Sequence, residues 1–406
     1  MASLPFQTSY EENEVFSIAG KALKLTSKED IQPFLNDLLK LDKVTKIDLS
    51  GNTISIDASI ALATTIKSNK SIYENLTEVN FADLYTSRLV DEVVQSLEVL
   101  LPTFLLCDKL TIVNLSDNAF GLRTIDSLEN YIANAIHLEH LILSNNGMGP
   151  FAGERIGKAL FKLSQNKSTH NLPFLKTFIC GRNRLENGST LYLALGLKSH
   201  GPNLQNVKLY QNGIRPKGIM TLLEYGFKNC PSLQILDLQD NTFTTIASLK
   251  LAEVLPIWKD TLVELNLNDC LLKNKGGDAI LQNFNQDVYS KLTKLKLEYN
   301  EIEQDSIENH LLNAIKDKNL PVLKDLELNG NRLDEDSETI DLLQGMFEEM
   351  ELDDLEELDS EDEESENEES EDENETFKEI DITSIEKELS TLSVDQLSKD
   401  LANTKI

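Results

Sequence analysis

Four of the seven arginines, Arg88, Arg182, Arg184 and Arg215, fall where a polar turn follows a short apolar run. A guanidinium presents five donors in a planar fork matched to carboxylates and phosphates. Each alone reads as a surface arginine packing its stem; four in equivalent turns give one margin that can meet an anionic surface. The same turns carry Asp117, Asn145, Arg182, Gln211, Asp240 and Asp269, each directly before an asparagine or, once, a cysteine. These groups recognise by hydrogen bonds and charge. They do not form a catalytic kit. The five histidines (His137, His140, His170, His200, His310) are scattered, and the His137/His140 pair lacks a third metal ligand nearby. No G-x-x-x-x-G-K-[ST] and no G-x-S-x-G is present. Gly147, Gly149 and the pair Gly276-Gly277 are expected as turn glycines, and Trp258 as a helix or core residue.

The turns recur because the chain repeats. The pattern Leu-x-x-Leu-x-Leu-x-x-Asn-x-Leu, with other apolar residues allowed, places its asparagine position at residues 52, 118, 146, 183, 212, 241, 270, 300 and 331, with Cys270 as a variant. A degenerate copy, Leu76-Val79-Phe81, puts Leu84 at that position. Leu-x-Leu is a short strand with one apolar face. The asparagine follows at a tight bend, where its carboxamide can satisfy backbone groups that a turning chain leaves unpaired. Helical stripes come next, such as Ile156-Leu160-Leu163 and Ile246-Leu249-Ala252-Leu255. A period near 29 holds a full helix per repeat. Helices are wider than strands, so the stack must curve, with strands inside and helices outside. The expectation is an α/β solenoid of about 11 repeats, horseshoe or crescent in form. Ala22 to Leu25 is expected as the strand of an atypical first repeat, followed by a helix opening at Ser27-x-x-Asp30, and Ile340 to Met350 as a final helix. Inner positions Asp48, Asn114, Lys208, Asp237, Asn266, Lys296 and Glu327 are expected to be exposed on the strand face, making a polar surface suited to a protein partner.

Three segments follow from charge. The chain of 406 residues carries net −31; residues 348–375 contribute 19 acids and no base, and residues 376–406 six acids and four lysines, so residues 1–347 hold only −10. The reading is a repeat domain over 1–347, an acidic disordered run over 348–375, and a C-terminal segment over 376–406 in which Ile385, Leu389 and Leu392, then Leu397 and Leu401, recur at helical spacing. That segment is read as a partner helix, an export-type signal or a marginal surface helix. This acidity argues against binding nucleic acid or anionic membrane by charge. Cys107, Cys180, Cys230 and Cys270 are too sparse for a disulfide scaffold and lack zinc spacing, so reduced thiols are expected. Met1 to Gly20 lacks the features of a signal peptide, and no run of 18 apolar residues marks a membrane span.

The period resembles the ribonuclease-inhibitor class of leucine-rich repeats over about residues 15–345. Several non-leucine segments are more specific: Leu115-Ser-Asp-Asn-Ala-Phe-Gly121, Ser144-Asn-Asn-Gly-Met-Gly-Pro150, Cys180-Gly-Arg-Asn-Arg-Leu-Glu-Asn-Gly188, Gln211-Asn-Gly-Ile-Arg-Pro216, Leu236-Asp-Leu-Gln-Asp-Asn241 and Leu267-Asn-Asp-Cys-Leu271. With the acidic run, they resemble the Ran GTPase-activating proteins, the fungal members above all. The resemblance implies binding to the GTP form of the small GTPase Ran and acceleration of its hydrolysis, in support of directional nucleocytoplasmic transport. It implies that the GTPase's own glutamine is positioned without an arginine finger. It carries the family's rim asparagine to Asn145 and its essential arginine to Arg88, in Asp83-Leu-Tyr-Thr-Ser-Arg88. For Arg88 a finger into the nucleotide site competes with an interface or scaffold role, and the latter is preferred. Arg182, Asp240, Asp117 and Gln211 are the further partner-binding picks. No cofactor is expected for this chain; GTP and Mg²⁺ belong to the partner, and a Ran-binding protein is a candidate third component. The location implied is cytoplasmic, with the nuclear envelope or shuttling as variants. An inhibitor-type binding module and a scaffold acting through its tail are the alternatives.

Overall fold

The two apolar residues of each Leu-x-Leu unit, such as Leu236 and Leu238, point away from the strand face into a shared core. A computed structural model describes residues 2–347, Met350, Leu352, Leu355 and residues 380–392. Its strands are β1 (Val15–Ser17), β2 (Lys24–Leu25), β3 (Lys46–Asp48), β4 (Thr53–Ile54), β5 (Glu78–Asn80), β6 (Ile112–Asn114), β7 (His140–Ile142), β8 (Thr177–Ile179), β9 (Asn206–Lys208), β10 (Ile235–Asp237), β11 (Glu264–Asn266), β12 (Lys294–Lys296) and β13 (Asp325–Glu327). Eleven of them form one parallel sheet in the order β1-β3-β5-β6-β7-β8-β9-β10-β11-β12-β13. In the register, Val207, Leu236, Leu265, Leu295 and Leu326 are aligned as direct neighbours, all buried. Each strand returns through a helix on one side, as parallel pairing requires. Neighbouring helices pack on one another, Gly149–Thr169 against Glu186–Ser199 most extensively.

The asparagine bends behave as the repeat predicts. Asn146 Nδ2 donates to the carbonyls of Leu143 (2.9 Å) and, one repeat back, Leu115 (3.0 Å), while its Oδ1 accepts from Asn118 N (2.9 Å). Asn183, Asn212, Asn241, Asn300 and Asn331 repeat the arrangement, and all are buried. At Cys270 the thiol replaces the amide donor, reaching Leu238 O at 3.3 Å. Where Leu84 breaks the pattern, its backbone N–H is taken up by Asn118 Oδ1 at 2.7 Å. The ladder thus stitches each turn to the next through groups that would otherwise be buried and unpaired.

Several expectations are corrected. The first strand of the main sheet is Val15–Ser17; Lys24–Leu25 instead pairs with Thr53–Ile54 in a separate two-stranded sheet, and Ala22 adopts positive φ. The Ser27–Asp30 capping box does open the helix Lys28–Leu38. In the helix Thr244–Val254 the buried stripe is Ala247, Ser248, Leu251 and Val254, and Leu249 is exposed. Small residues face the neighbour because Gly276, in the helix Lys273–Gln286, packs directly on Ser248; Gly276 and Gly277 are helix-contact glycines, with no room for a Cβ. Gly147 sits in the loop after β7 and Gly149 opens the helix Gly149–Thr169, both at positive φ. Trp258 is fully buried, its Nε1 donating to Cys230 O at 3.0 Å. The last repeat helix spans Glu338–Met346.

The acidic run lies outside the described residues except for Met350, Leu352 and Leu355, as do Leu397 and Leu401. Ile385 and Leu389 sit on a helix, Ile382–Thr391, that packs against Gly149–Thr169 on the outer layer. Leu389 is buried there, Glu386 pairs with Lys198 at 2.8 Å, and Ile380 N donates to Tyr225 Oη at 3.0 Å.

Candidate functional site

One backbone feature distinguishes the margin where strands turn into helices. The residue before each bend asparagine, or before Leu84 and Cys270 in its place, lies in the left-handed region: Gly51, Asp83, Asp117, Asn145, Arg182, Gln211, Asp240, Asp269, Tyr299 and Gly330, with φ between 49° and 68°. Glycine accepts this conformation freely and asparagine or aspartate at modest cost; arginine, glutamine and tyrosine adopt it rarely. All but Gly330, in the last repeat, are held by a backbone bond to the next repeat, such as Asn145 N to Gly181 O (2.8 Å), Arg182 N to Tyr210 O (2.9 Å) and Asp240 N to Asn268 O (2.9 Å). The ladder imposes the bend and the side chain is turned out. Strand spacing puts successive members about 5 Å apart.

Of the six residues singled out from sequence, Asp117, Asn145, Arg182, Gln211 and Asp240 occupy this row on consecutive repeats. Asn145, Arg182 and Gln211 are exposed, and Asp117 and Asp240 half-buried. Asn145 Nδ2 donates to Asp117 Oδ1 at 2.8 Å. Asp117 Oδ2 is buried and takes no hydrogen bond among the described residues. Beneath Asn145, Ser144 Oγ accepts from Gly181 N (3.1 Å) and from Tyr210 Oη (3.2 Å). The Tyr210 ring lies where a side chain at position 181 would be, which fixes Gly181. Burial raises the Tyr210 phenol, keeping it a donor.

Arg88 stands apart from the row itself. It lies five residues beyond Asp83, in the turn before the helix Val90–Phe104, and its Nε donates to Thr53 Oγ1 at 3.1 Å. It borders an open cavity of about 390 Å³ with Lys24, Thr53, Asp83 and Ser87. Asp83 and Ser87 are themselves at positive φ. The rim positions of Asp83 and Asn145 are two repeats apart, so Arg88 shares the margin with Asn145 without touching it. Thr53 and Lys24 were not among the sequence-derived candidates. Their only signal is their place in an early, irregular copy.

The strand face is more self-contained than expected. Asn114, Asp237 and Asn266 are buried, not exposed: Asn114 is covered by the N-terminal segment, its Nδ2 donating to Ala2 O (3.3 Å), Asn266 Nδ2 reaches Gln239 Oε1 (3.1 Å), and Lys208 sits between Asp237 (3.7 Å) and Glu264 (3.3 Å). Burial lifts the Asp237 carboxyl to about 6, against the pull of Lys208. Lys296 pairs with Glu327 and Lys46 with Glu78 (2.8 Å). Charges that neutralise one another leave little for a partner, so the outward-turned margin carries the available polar groups. Among the described residues no cluster of histidine, cysteine and carboxylate groups could hold a metal, and no helix is long and apolar enough to cross a membrane.

Comparison with known proteins gives this margin its context. The Leucine Rich repeat family matches at residues 229–246. The Ran GTPase-activating protein 2 of Caenorhabditis elegans is 38% identical over 210 residues, 51% of this chain and 21% of its own length. The Ran GTPase-activating protein of Drosophila melanogaster is 31% identical over 238 residues, 58% of this chain and 39% of its own length. The Ran GTPase-activating protein 1 of Saccharomyces cerevisiae is 63% identical over 352 residues, 87% of this chain and 86% of its own length. Identity at that level across nearly the whole of both chains leaves one assignment: this chain belongs to the Ran GTPase-activating protein family.

Proposed function

We propose that this chain binds Ran in its GTP form through the strand-to-helix margin and accelerates hydrolysis by orienting groups that Ran itself supplies. Family membership carries the activation of a partner's GTPase. The observation that carries the rest is the exposed Asn145 carboxamide, fixed from one side by Asp117 and from below by the Ser144–Tyr210 contact.

The chemistry fits that placement. Hydrolysis of a bound nucleotide needs an oriented water and stabilised charge on the transferring phosphoryl group. A carboxamide can bond a glutamine side chain of the partner, donating and accepting at once, without adding charge. Held by a strained but over-determined backbone, it loses little freedom on binding. In this reading Asn145 positions the GTPase's glutamine and shields it from bulk water. Arg88, kept near the protein surface by Thr53, meets acidic groups of Ran and does not enter the nucleotide site. Arg182, Gln211, Asp240 and Asp117 extend the contact along the row. GTP and Mg²⁺ are the partner's, and this chain contributes no cofactor. A Ran-binding protein is the candidate third component of the complex. Acting in the cytoplasm, or at the cytoplasmic side of the nuclear envelope, such an activity keeps Ran there in its GDP form and gives nuclear transport its direction.

Single-turnover hydrolysis of GTP on Ran, with and without this protein, tests the reading. Strong stimulation supports it. Tight binding to the GTP form with no stimulation would instead mark an inhibitor-type module.

A further inference from the structure

Residues 2–10 belong to no repeat. They cross the strand face at β5 to β7, with a bend at Pro5 and Phe6. Ala2, Leu4, Thr8 and Tyr10 are half-buried while Ser3, Pro5, Phe6, Gln7 and Ser9 are exposed, so the alternation of a chain lying on a surface holds on either side of the bend. The floor beneath is more apolar than the far end of the face. β6 places Ile112 where β11 and β12 place Glu264 and Lys294, and β7 places Ile142 where β9 and β10 place Lys208 and Asp237; both isoleucines are buried, and Ile179 of β8 lies beside Ile142.

The directional contacts are few. Asn114 Nδ2 donates to Ala2 O at 3.3 Å. The Phe6 ring meets His140 edge to face, centroids 5.1 Å apart, yet stays 43% exposed. Tyr10 lies against Glu78, and burial together with that negative charge raises its phenol. Between arm and floor is a cavity of about 670 Å³, bordered by residues 2–8 and by Lys46, Glu78, Asn80, Ile112, Asn114 and Ile142. Glu78 Oε1 binds Lys46. An apolar floor, an aromatic contact and amide groups along one edge make a site for a peptide segment. The arm fills that site only in part.

We propose that the strand face over β5 to β7 is a peptide-binding groove, separate from the activating margin, and that residues 2–10 are its resident occupant. The ligand class is an uncharged segment with an apolar residue two positions before an aromatic one, as Leu4 and Phe6 provide. The resident arm covers Ile112 and Ile142. Its exchange for a segment in trans opens a second contact. This inference does not depend on the activity assigned above.

The test uses the full chain and the variant Leu4→Ser/Phe6→Ala, with a fluorescein-labelled peptide of residues 2–10 as probe. Anisotropy should show saturable binding to the variant at least tenfold tighter than to the wild type, and a probe carrying Phe6→Ala should bind several-fold more weakly. Hydrogen exchange should report faster exchange confined to residues 2–10 of the variant. Stimulation of Ran should be unchanged, since neither residue is on the margin. A folded variant, checked by circular dichroism, that binds the probe no better than the wild type would overturn the proposal. So would an arm whose exchange is unaltered by the two substitutions.

Discussion

Asn145 and Asp117 stand 28 residues apart in sequence and one turn apart in space, joined by a 2.8 Å hydrogen bond from Nδ2 to Oδ1. The bond uses one amide proton of Asn145. It leaves the other proton and the carbonyl oxygen facing outward for a partner. Asp117→Ala removes the fixed point without removing the carboxamide. The expected result is roughly a tenfold fall in the saturated hydrolysis rate on Ran, since one hydrogen bond to a charged group contributes on the order of 1.5 kcal/mol. Thermal stability should change little, because Asp117 is only half-buried. Single-turnover rates beside a melting curve check both.

Arg88 has a different signature. If it meets acidic groups of Ran, Arg88→Ala weakens binding and leaves hydrolysis within the saturated complex nearly intact, and the loss shrinks as salt rises. A titration of rate against activator at two ionic strengths separates these effects. A rate that stays low at saturation would indicate contact with the nucleotide instead. Thr53→Val, which removes the Nε contact of 3.1 Å, should give a smaller change of the same kind.

The core holds a charged cluster with a predictable cost. Arg155 donates through Nε to Glu129 at 2.8 Å and pairs with Asp126 at 2.6 Å; both Arg155 and Glu129 are buried. Arg155→Ala strands Glu129 and should destabilise the fold by about 3–5 kcal/mol. Arg155→Met with Glu129→Leu should recover most of that. Denaturant melts of the single and double variants measure it.

Acid should weaken the fold through two histidines. His200 accepts from Leu175 N (3.2 Å) on Nδ1 and donates from Nε2 to Leu160 O (2.9 Å). Burial lowers it to about 3, and burial lowers His140 to about 4. Both folded values lie below the unfolded value near 6.5, so the stabilisation is intact above that pH and is lost as pH falls toward 4 and then 3. The expected slope between pH 6 and 4.5 is the nearly two protons that the histidines take up on unfolding, less the proton that Asp237, its carboxyl raised by burial, releases. His200→Gln should lower it by about one. Melting midpoints across that range give the slope.

The sequence makes the ladder legible because the geometry leaves one choice. A buried bend with unpaired carbonyls needs a donor and an acceptor on a short side chain, and asparagine recurs for that reason. The row of partner-facing residues is legible by counting one position back from it. The left-handed backbone of Arg182 and Gln211 is not, since neither residue favours it; the inter-repeat bonds impose it. The helix Thr244–Val254 is misread by one face because Leu249 looks like core, whereas tight packing there selects Ala247 and Ser248. The first strand is misplaced because β1 and β2 are both very short, and only pairing with β3 distinguishes Val15–Ser17. The arm over β5 to β7 has no sequence signal at all. Its partners Asn114 and His140 are more than 100 residues away.

The most direct measurement is single-turnover GTP hydrolysis on Ran with wild-type protein and Asn145→Ala, with binding to GTP-loaded Ran measured alongside. The account predicts strong stimulation by the wild type. It predicts near-native binding by Asn145→Ala but a hydrolysis rate lower by about 10²–10³-fold. Full stimulation by a folded Asn145→Ala would contradict it.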